Sequence, residues 1–330
     1  MDIRNKKFLV IGGAGFIGSH VVAELLKEEV AEVIIYDNFT RGRLSNVEEF
    51  LKDPRCRLFA DGGDIRDVDV LNIAMGGIDG VFHLAAMWLL HCKEYPRTAF
   101  EVNIQGTFNV LEACVKNGIK RLVYSSSASV YGDAVEIPMT EEHPFNNKNF
   151  YGATKIAGEA MCRAFYDRYG LEYVGLRYMN VYGPHQDHTA AYTGVIPVML
   201  NKIEANETPI INGNGNQSYD FISVKDVARC NILAMKSQTR DEFYNVGTGI
   251  QTSVKELCEL ILKLTQSKLH VQFKPYSEED SRRLVQNRIG AIEKSYEQLG
   301  FKFQDHLPEG LSDLLTWRNI KAKNSNQETT

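Results

Sequence analysis

Apolar and polar positions along the first half of the chain follow two alternating rhythms. Short, almost wholly apolar runs, KFLVIGG, AEVIIYDN, DGVFHLAA and KRLVYSSSA, are separated by longer amphipathic stretches such as SHVVAELLKEE and FNVLEACVKNG. The short runs lack the strict apolar/polar alternation of a sheet with one wet face. They predict parallel strands covered on both sides by the intervening helices, an α/β doubly wound sheet. After about residue 177 the rhythm turns irregular, with a turn-rich GNGNQS followed by the helix-like VKDVARCNILAMKS and SVKELCELILKLT. The expected organisation is a first domain over 1–177, to which part of 215–248 returns, and a smaller α/β domain mainly over 178–320. The polar segment 321–330, KAKNSNQETT, lacks periodicity and is expected to be disordered.

Composition narrows the class. The 330 residues are 44% hydrophobic and 24% charged, enough for a substantial core. A net charge of −5 gives no electrostatic reason to expect nucleic acid or an anionic membrane as partner. The opening MDIRNKKFLVIGG reads as a first strand and not as a secretory signal, and no apolar run reaches transmembrane length. The six cysteines are scattered without a C-x-x-C pair, which points to reduced, buried thiols in a cytoplasmic protein. The eight histidines lack metal-ligand spacing, so no metal is expected, and His83 reads as a strand-end residue.

Candidate chemistry begins at GGAGFIG, where Gly12, Gly15 and Gly18 surround Phe16 and Ile17 between a strand and a helix. Glycines there allow a tight turn and close backbone approach, so a pyrophosphate can rest on the N–H groups of the helix N-terminus. The spacing alone also fits a ligand-free turn. Asp37, beside Asn38, ends the next strand about 20 residues on, where a carboxylate accepts from both ribose hydroxyls of NAD and repels a 2′-phosphate. Arg41 and Arg43 read as solvated groups or pyrophosphate contacts. Asp64 and Ile65 in GGDIRD fall where a loop meets an adenine, and Leu84, Ala85 and Ala86 let a strand end lie against the cofactor, although turns and small residues are common there without ligands.

Tyr151 and Lys155, in FYGATKIAGEAM, stand one helical turn apart on one face. Upstream, Ser125, Ser126 and Ser127 end a strand, and strand carboxyl ends of such sheets face the ligand crevice. Oxidising an alcohol requires a base beside the cofactor. A free tyrosine, with a pKa of about 10, is a poor base at neutrality. A nearby ammonium and a positive nicotinamide ring are expected to lower it.

Together GGAGFIGSH, YDN, GDIRD, HLAA, VYSSSASVYG, YGATK and RYMNVYGP resemble the extended short-chain dehydrogenase/reductase superfamily, in its NAD-dependent nucleotide-sugar epimerase/dehydratase branch. The resemblance spans about residues 6–315. It implies a Rossmann-type domain, tightly bound and recycled NAD, Tyr151 as catalytic base, Lys155 as its partner and ribose ligand, and Ser127 as the residue aligning substrate. It further places Asn103, Ser125 and Tyr178 beside the cofactor, and Met87, Ser129 and Asn180 beside the sugar nucleotide. The helices after Asn103 and from Tyr151 are implied to form a four-helix homodimer contact. Dehydratases of the branch usually read T-D-E-V-Y-G, with an acid and a base; here Ser127-Ala128-Ser129 carries no carboxylate, which favours a 4-epimerase on a UDP-hexose or UDP-N-acetylhexosamine. A 4,6-dehydratase, a 4-keto reductase or dehydrogenase, and a non-catalytic NAD sensor are the alternatives. One departure concerns the substrate: GNGNQSYDF has Tyr219 where the family commonly places an arginine on the nucleotide diphosphate, and Arg282 or Arg283 would have to compensate. Leu284 lies near a position that sets pocket size in the family.

Overall fold

The computed structural model describes residues 1–188, 194–276 and 285–325. Arg282, Arg283 and Leu284 lie outside them. Six strands, β1 (Lys7–Ile11), β2 (Glu32–Tyr36), β3 (Cys56–Leu58), β4 (Gly80–His83), β5 (Arg121–Ser127) and β6 (Glu172–Tyr178), combine with Asp241–Val246 into one seven-stranded sheet. The order is β3-β2-β1-β4-β5-β6 with Asp241–Val246 at the far edge, and every pairing is parallel. Strand order reverses between β1 and β4, so the carboxyl ends of these strands open a crevice there.

Helices cover both faces, as the apolar strand runs require. The described helices of the first half are α1 (Phe16–Leu26), α2 (Val68–Ala74), α3 (Leu89–Glu94), α4 (Pro96–Ala99), α5 (Thr107–Lys116) and α6 (Phe150–Tyr169). Val21, Val22 and Leu25 of α1 share one core with Val227 and Ala228 of the helix Val224–Lys236; Leu71, Val110, Leu111, Cys162 and Phe165 of α2, α5 and α6 form the core of the other face. A third core, including Tyr182, Ile196, Leu200, Phe221, Leu257 and Leu314, belongs to a smaller lobe. Its helices are Val195–Glu204, Val254–Leu264 and Leu307–Ser325, and a short sheet joins Thr252–Ser253, Ser218–Tyr219 and Asn287–Arg288. The last helix runs through Ser325, past position 321 where disorder was expected. Once nucleated and docked, a helix gains one bond per added residue, so polar sequence alone does not end it.

The position of α6 is set from several sides. Asn149 caps its start by accepting from Gly152 N at 2.8 Å, and Gly170 ends it with φ 70°. In the middle, a Cβ on Gly158 would lie 2.0 Å from Tyr124 Oη, so only glycine permits this approach to β5. One turn beyond Lys155, Glu159 accepts from Arg177 Nε at 2.9 Å and Nη2 at 2.7 Å, and from Ser126 Oγ at 2.6 Å. Both side chains of the ion pair are at most 5% exposed. Arg177 Nη1 also donates to Tyr131 Oη and to the Glu141 carbonyl, satisfying the guanidinium in its dry setting. Glu159→Gln leaves a buried guanidinium uncompensated and is expected to cost about 3–5 kcal/mol in denaturant unfolding. The double variant Glu159→Met/Arg177→Met should cost less than either single change; a double variant as unstable as the sum of the singles would contradict this placement.

Candidate functional site

The glycine loop between β1 and α1 is shaped by close backbone contact. Gly12 has φ +81°, and a Cβ there would lie 2.8 Å from Ala85 N at the end of β4. A Cβ on Gly18 would lie 2.0 Å from Gly12 O, so α1 starts hard against the loop. Gly15 precedes α1 without any side-chain cap, leaving the first-turn N–H groups of Phe16, Ile17 and Gly18 to the loop side. Leu84 and Ala85 both donate their N–H to Ile11 O, which brings the Leu84–Ala86 segment to the loop.

Asp37, just beyond β2, accepts from Ala14 N at 2.9 Å and Phe39 N at 2.8 Å. Burial pushes its carboxyl up, while those two N–H groups hold it down. A carboxylate has about four lone-pair sites, so two bonds leave acceptor capacity for hydroxyls. Gly42 and Gly63 crowd the same spot: a Cβ on Gly42 would meet Asp37 Oδ1 at 2.6 Å, and one on Gly63 would meet the Asp37 carbonyl at 2.1 Å. Asp64 is paired with Arg66 at 2.6 Å, while Ile65 is buried against Gly106. The loop glycines, the uncapped α1 start and Asp37 together suit a dinucleotide's diphosphate and adenine ribose.

Further along the crevice, Ser127, Tyr151 and Lys155 converge. Ser127 ends β5, its Oγ accepts from Ser129 N at 3.1 Å, and its hydroxyl lies near enough to the Tyr151 phenol to favour phenolate. Lys155 Nζ lies 5.7 Å from the Tyr151 ring centroid and donates to Ser125 O at 2.7 Å. Burial lowers the Lys155 amine to about 8. The Tyr151 phenol departs from the expectation of a lowered pKa: burial pushes it up to about 12, against the opposing effects of the Ser127 hydroxyl and the Arg288 charge. Loss of water disfavours phenolate more than the chain's own cations favour it.

Other expected site residues are anchored by hydrogen bonds within the chain. Asn103 is buried in a π-helical turn, Phe100–Gly106, where its Oδ1 accepts from Met87 N at 2.6 Å and its Nδ2 donates to Met87 O and Thr154 Oγ1. It thus ties the segment after β4 to α6. Ser125 Oγ meets Tyr178 Oη at 2.9 Å, and Tyr178 donates to Asn231 Oδ1 at 3.0 Å. Ser129 is buried, Asn180 Nδ2 donates to Asp220 O, and Tyr219 Oη donates to Val285 O at 2.9 Å. Arg41, read from sequence as solvated or as a pyrophosphate contact, has its guanidinium 4.6 Å over the Trp88 ring while pairing with Asp187. Sequence reasoning missed Gly42, Gly63, Glu159, Arg177 and Arg288. None carries a local spacing signal; each acquires its neighbour through the fold. His83 is buried on β4 with Nε2 3.0 Å from Thr107 Oγ1. Among the described residues, no group of three or more His, Cys, Asp or Glu is placed to hold a metal ion.

The NAD dependent epimerase/dehydratase family model matches residues 8–247. A UDP-glucose 4-epimerase of Corynebacterium glutamicum is 32% identical over 308 residues, 89% of this chain and 90% of that one. Among solved structures, a UDP-N-acetylglucosamine 4-epimerase from Methanobrevibacter ruminantium M1, in complex with UDP-N-acetylmuramic acid, is 32% identical with a TM-score of 0.89, covering 96% of this chain and 99% of that one. A dTDP-glucose 4,6-dehydratase from Streptomyces venezuelae with NAD bound is 28% identical, TM-score 0.87, covering 95% and 97%.

The depressed Lys155 amine has a thermodynamic signature. Its folded pKa of about 8 lies below the ordinary 10.5, so between these values the unfolded chain binds more protons and stability rises with pH. Lys155→Met in the NAD-free protein should therefore be stabilised relative to wild type at pH 7, by an amount on the order of 3 kcal/mol. That advantage should shrink as pH rises from 8 toward 10.5. A difference that stays constant across this window would show that Lys155 is not held below its ordinary value.

Proposed function

The chain belongs to the NAD-dependent epimerase/dehydratase family, and we propose that it is a nucleotide-sugar 4-epimerase acting on a UDP-hexose or UDP-N-acetylhexosamine. The observation that carries this reading is the convergence of Ser127, Tyr151 and Lys155 beside a dinucleotide crevice, with no carboxylate in the turn at Ala128 and Ser129. Ser127 Oγ holds the C4 hydroxyl in line with the phenol, and Tyr151 takes its proton. Lys155 holds the cofactor's ribose and contributes positive charge while protonated. NAD held there would supply the hydride acceptor and donor for C4 of the sugar, and its oxidised form would add positive charge that favours phenolate. Return of the proton from Tyr151 after the 4-keto sugar has turned completes an inversion with no net redox change, so NAD stays bound and is recycled. Elimination of water would need an acid for the departing hydroxide, and neither Ala128 nor Ser129 supplies one.

Gly12, Gly15, Gly18 and Asp37 hold the cofactor in this reading, with Asn38, Asp64, Ile65 and Leu84–Ala86 along its adenosine side and Tyr178, Ser125 and Asn103 shaping the nicotinamide end. Met87, Asn180 and Tyr219 face the sugar nucleotide. A homodimer through α5 and α6 fits the apolar groove lined by Phe108, Val115, Phe165 and Tyr169, where Phe108 is 43% and Tyr169 57% exposed. No described helix is long and apolar enough to cross a membrane, and all six cysteines are free and buried, which suits a cytoplasmic enzyme.

Incubation with UDP-hexoses and UDP-N-acetylhexosamines, followed by NMR, should show interconversion of one 4-epimer pair without added reductant. Tyr151→Phe should lower kcat by about 10²–10⁴-fold. Accumulation of a 4-keto product would overturn the epimerase reading in favour of a dehydratase. Phe108→Glu should convert a dimer to monomer in light scattering; an unchanged mass would place the contact elsewhere.

A further inference from the structure

Among the described residues of the site, Arg288 is the cation left with a buried, unpartnered side-chain nitrogen. It stands on the short strand Asn287–Arg288, in parallel register with Ser218–Tyr219, so that Arg288 lies directly beside Tyr219. Its backbone is held firmly: Asp220 N donates to Arg288 O at 3.0 Å, Gln286 N donates to Asp133 Oδ1 at 2.8 Å, and Met139 N donates to Ile289 O at 2.8 Å. Its side chain is not held in the same way. Nε is buried with no hydrogen-bond partner, and burial pulls the guanidinium below its ordinary pKa. The charge is near enough to act on Tyr219, on Asp133 and on the phenol of Tyr151.

Such an arrangement is costly in the protein alone, because a desolvated guanidinium needs an anion. The contrast with Arg177 is direct: that buried arginine is met by a carboxylate, a hydroxyl and a carbonyl. The segments that frame the site, 84–92, 125–133, 178–188, 217–220 and 285–291, contain no other lysine or arginine. Lys155 is already committed to Ser125 O. A nucleotide sugar brings at least two negative charges on its diphosphate, and a uronic sugar one more. Tyr219 beside Arg288 offers no charge to meet them.

From these observations, and resting on the nucleotide-sugar reading above, we infer that Arg288 is the residue that binds an oxyanion of the substrate, reaching it from the strand beside Tyr219. It is a specificity-determining residue: it touches a part of the substrate that does not react. The planar guanidinium suits two-point contact with a phosphate or a carboxylate, so the diphosphate and a sugar carboxylate are the two sources of this chemistry.

Calorimetric titration of the NAD-loaded protein with uridine, UDP, UDP-glucose and UDP-glucuronate, using wild type, Arg288→Met and Arg288→Lys, separates them. If Arg288 meets the diphosphate, Arg288→Met weakens UDP and both UDP-sugars alike, by about 10- to 100-fold, and leaves uridine unchanged. If it meets a sugar carboxylate, only UDP-glucuronate weakens. Either pattern supports the assignment, with partial recovery in Arg288→Lys. The ligand-free Tm of Arg288→Met should equal or exceed that of wild type, since an unpaired buried charge is removed; a purely structural arginine would lower it. Affinities unaltered in both variants overturn this proposal alone. Wild-type protein that binds none of the uridine nucleotides overturns the UDP-sugar reading and this assignment with it.

Discussion

The buried pair between Glu159 and Arg177 is the constraint on which the rest of the site depends. Strand pairing brings Ser126 beside Arg177, and alternation sends both toward α6 while Ser125 and Tyr178 face the other side of the sheet. Glu159 collects both on a single carboxylate. Because Glu159 lies one turn beyond Lys155 and two beyond Tyr151, fixing its carboxylate fixes the rotation of α6 about its axis. Gly158, pressed on Tyr124, fixes its distance from the sheet. Asn103, through Thr154 and Met87, fixes the facing segment after β4. The Tyr151 phenol is therefore held at Ser127 by rigid elements and not by a loop, as positioning of reacting groups demands.

The same rigidity makes the site electrostatically expensive. Lys155 sits in a setting that lowers its amine, Tyr151 in one that raises its phenol, and Arg288 keeps a buried Nε with no hydrogen-bond partner. Burial disfavours the charged form of each group, and each has a chemical use when cofactor and substrate bring opposite charge. Stability lost at these positions is the ordinary companion of a preorganised site. Structural polar groups follow the opposite rule. Asp220, for instance, is buried but accepts from Thr248 N, Thr248 Oγ1 and Gly249 N, and Asn245 is fully engaged with Met139, Ala291 and Tyr131.

Much of this was legible in the sequence wherever the physics is local. Apolar run length gave the parallel strands; glycine spacing between a strand and a helix gave the loop at Gly12–Gly18; helical pitch gave the shared face of Tyr151 and Lys155. What stayed hidden depends on residues far apart in the chain. Arg177 reads as an interruption of an apolar strand until Glu159 is seen beside it. Gly42 and Gly63 look like ordinary turn glycines until the fold presses them on Asp37. Strand register sets Arg288 beside Tyr219, and register cannot be read from two-residue strands; Arg282 and Arg283 lie outside the described residues. The direction of the Tyr151 shift was also missed, because a nearby ammonium can be counted from sequence whereas desolvation cannot.

The central claim, that Tyr151 and its partners serve reversible oxidation at C4 with return to the same carbon, is tested most directly with a substrate carrying deuterium at C4. Epimerisation of UDP-[4-²H]hexose in ordinary water should give the inverted sugar with the label still at C4 and none in solvent. Loss of deuterium to water, or its appearance at C6, would contradict the claim.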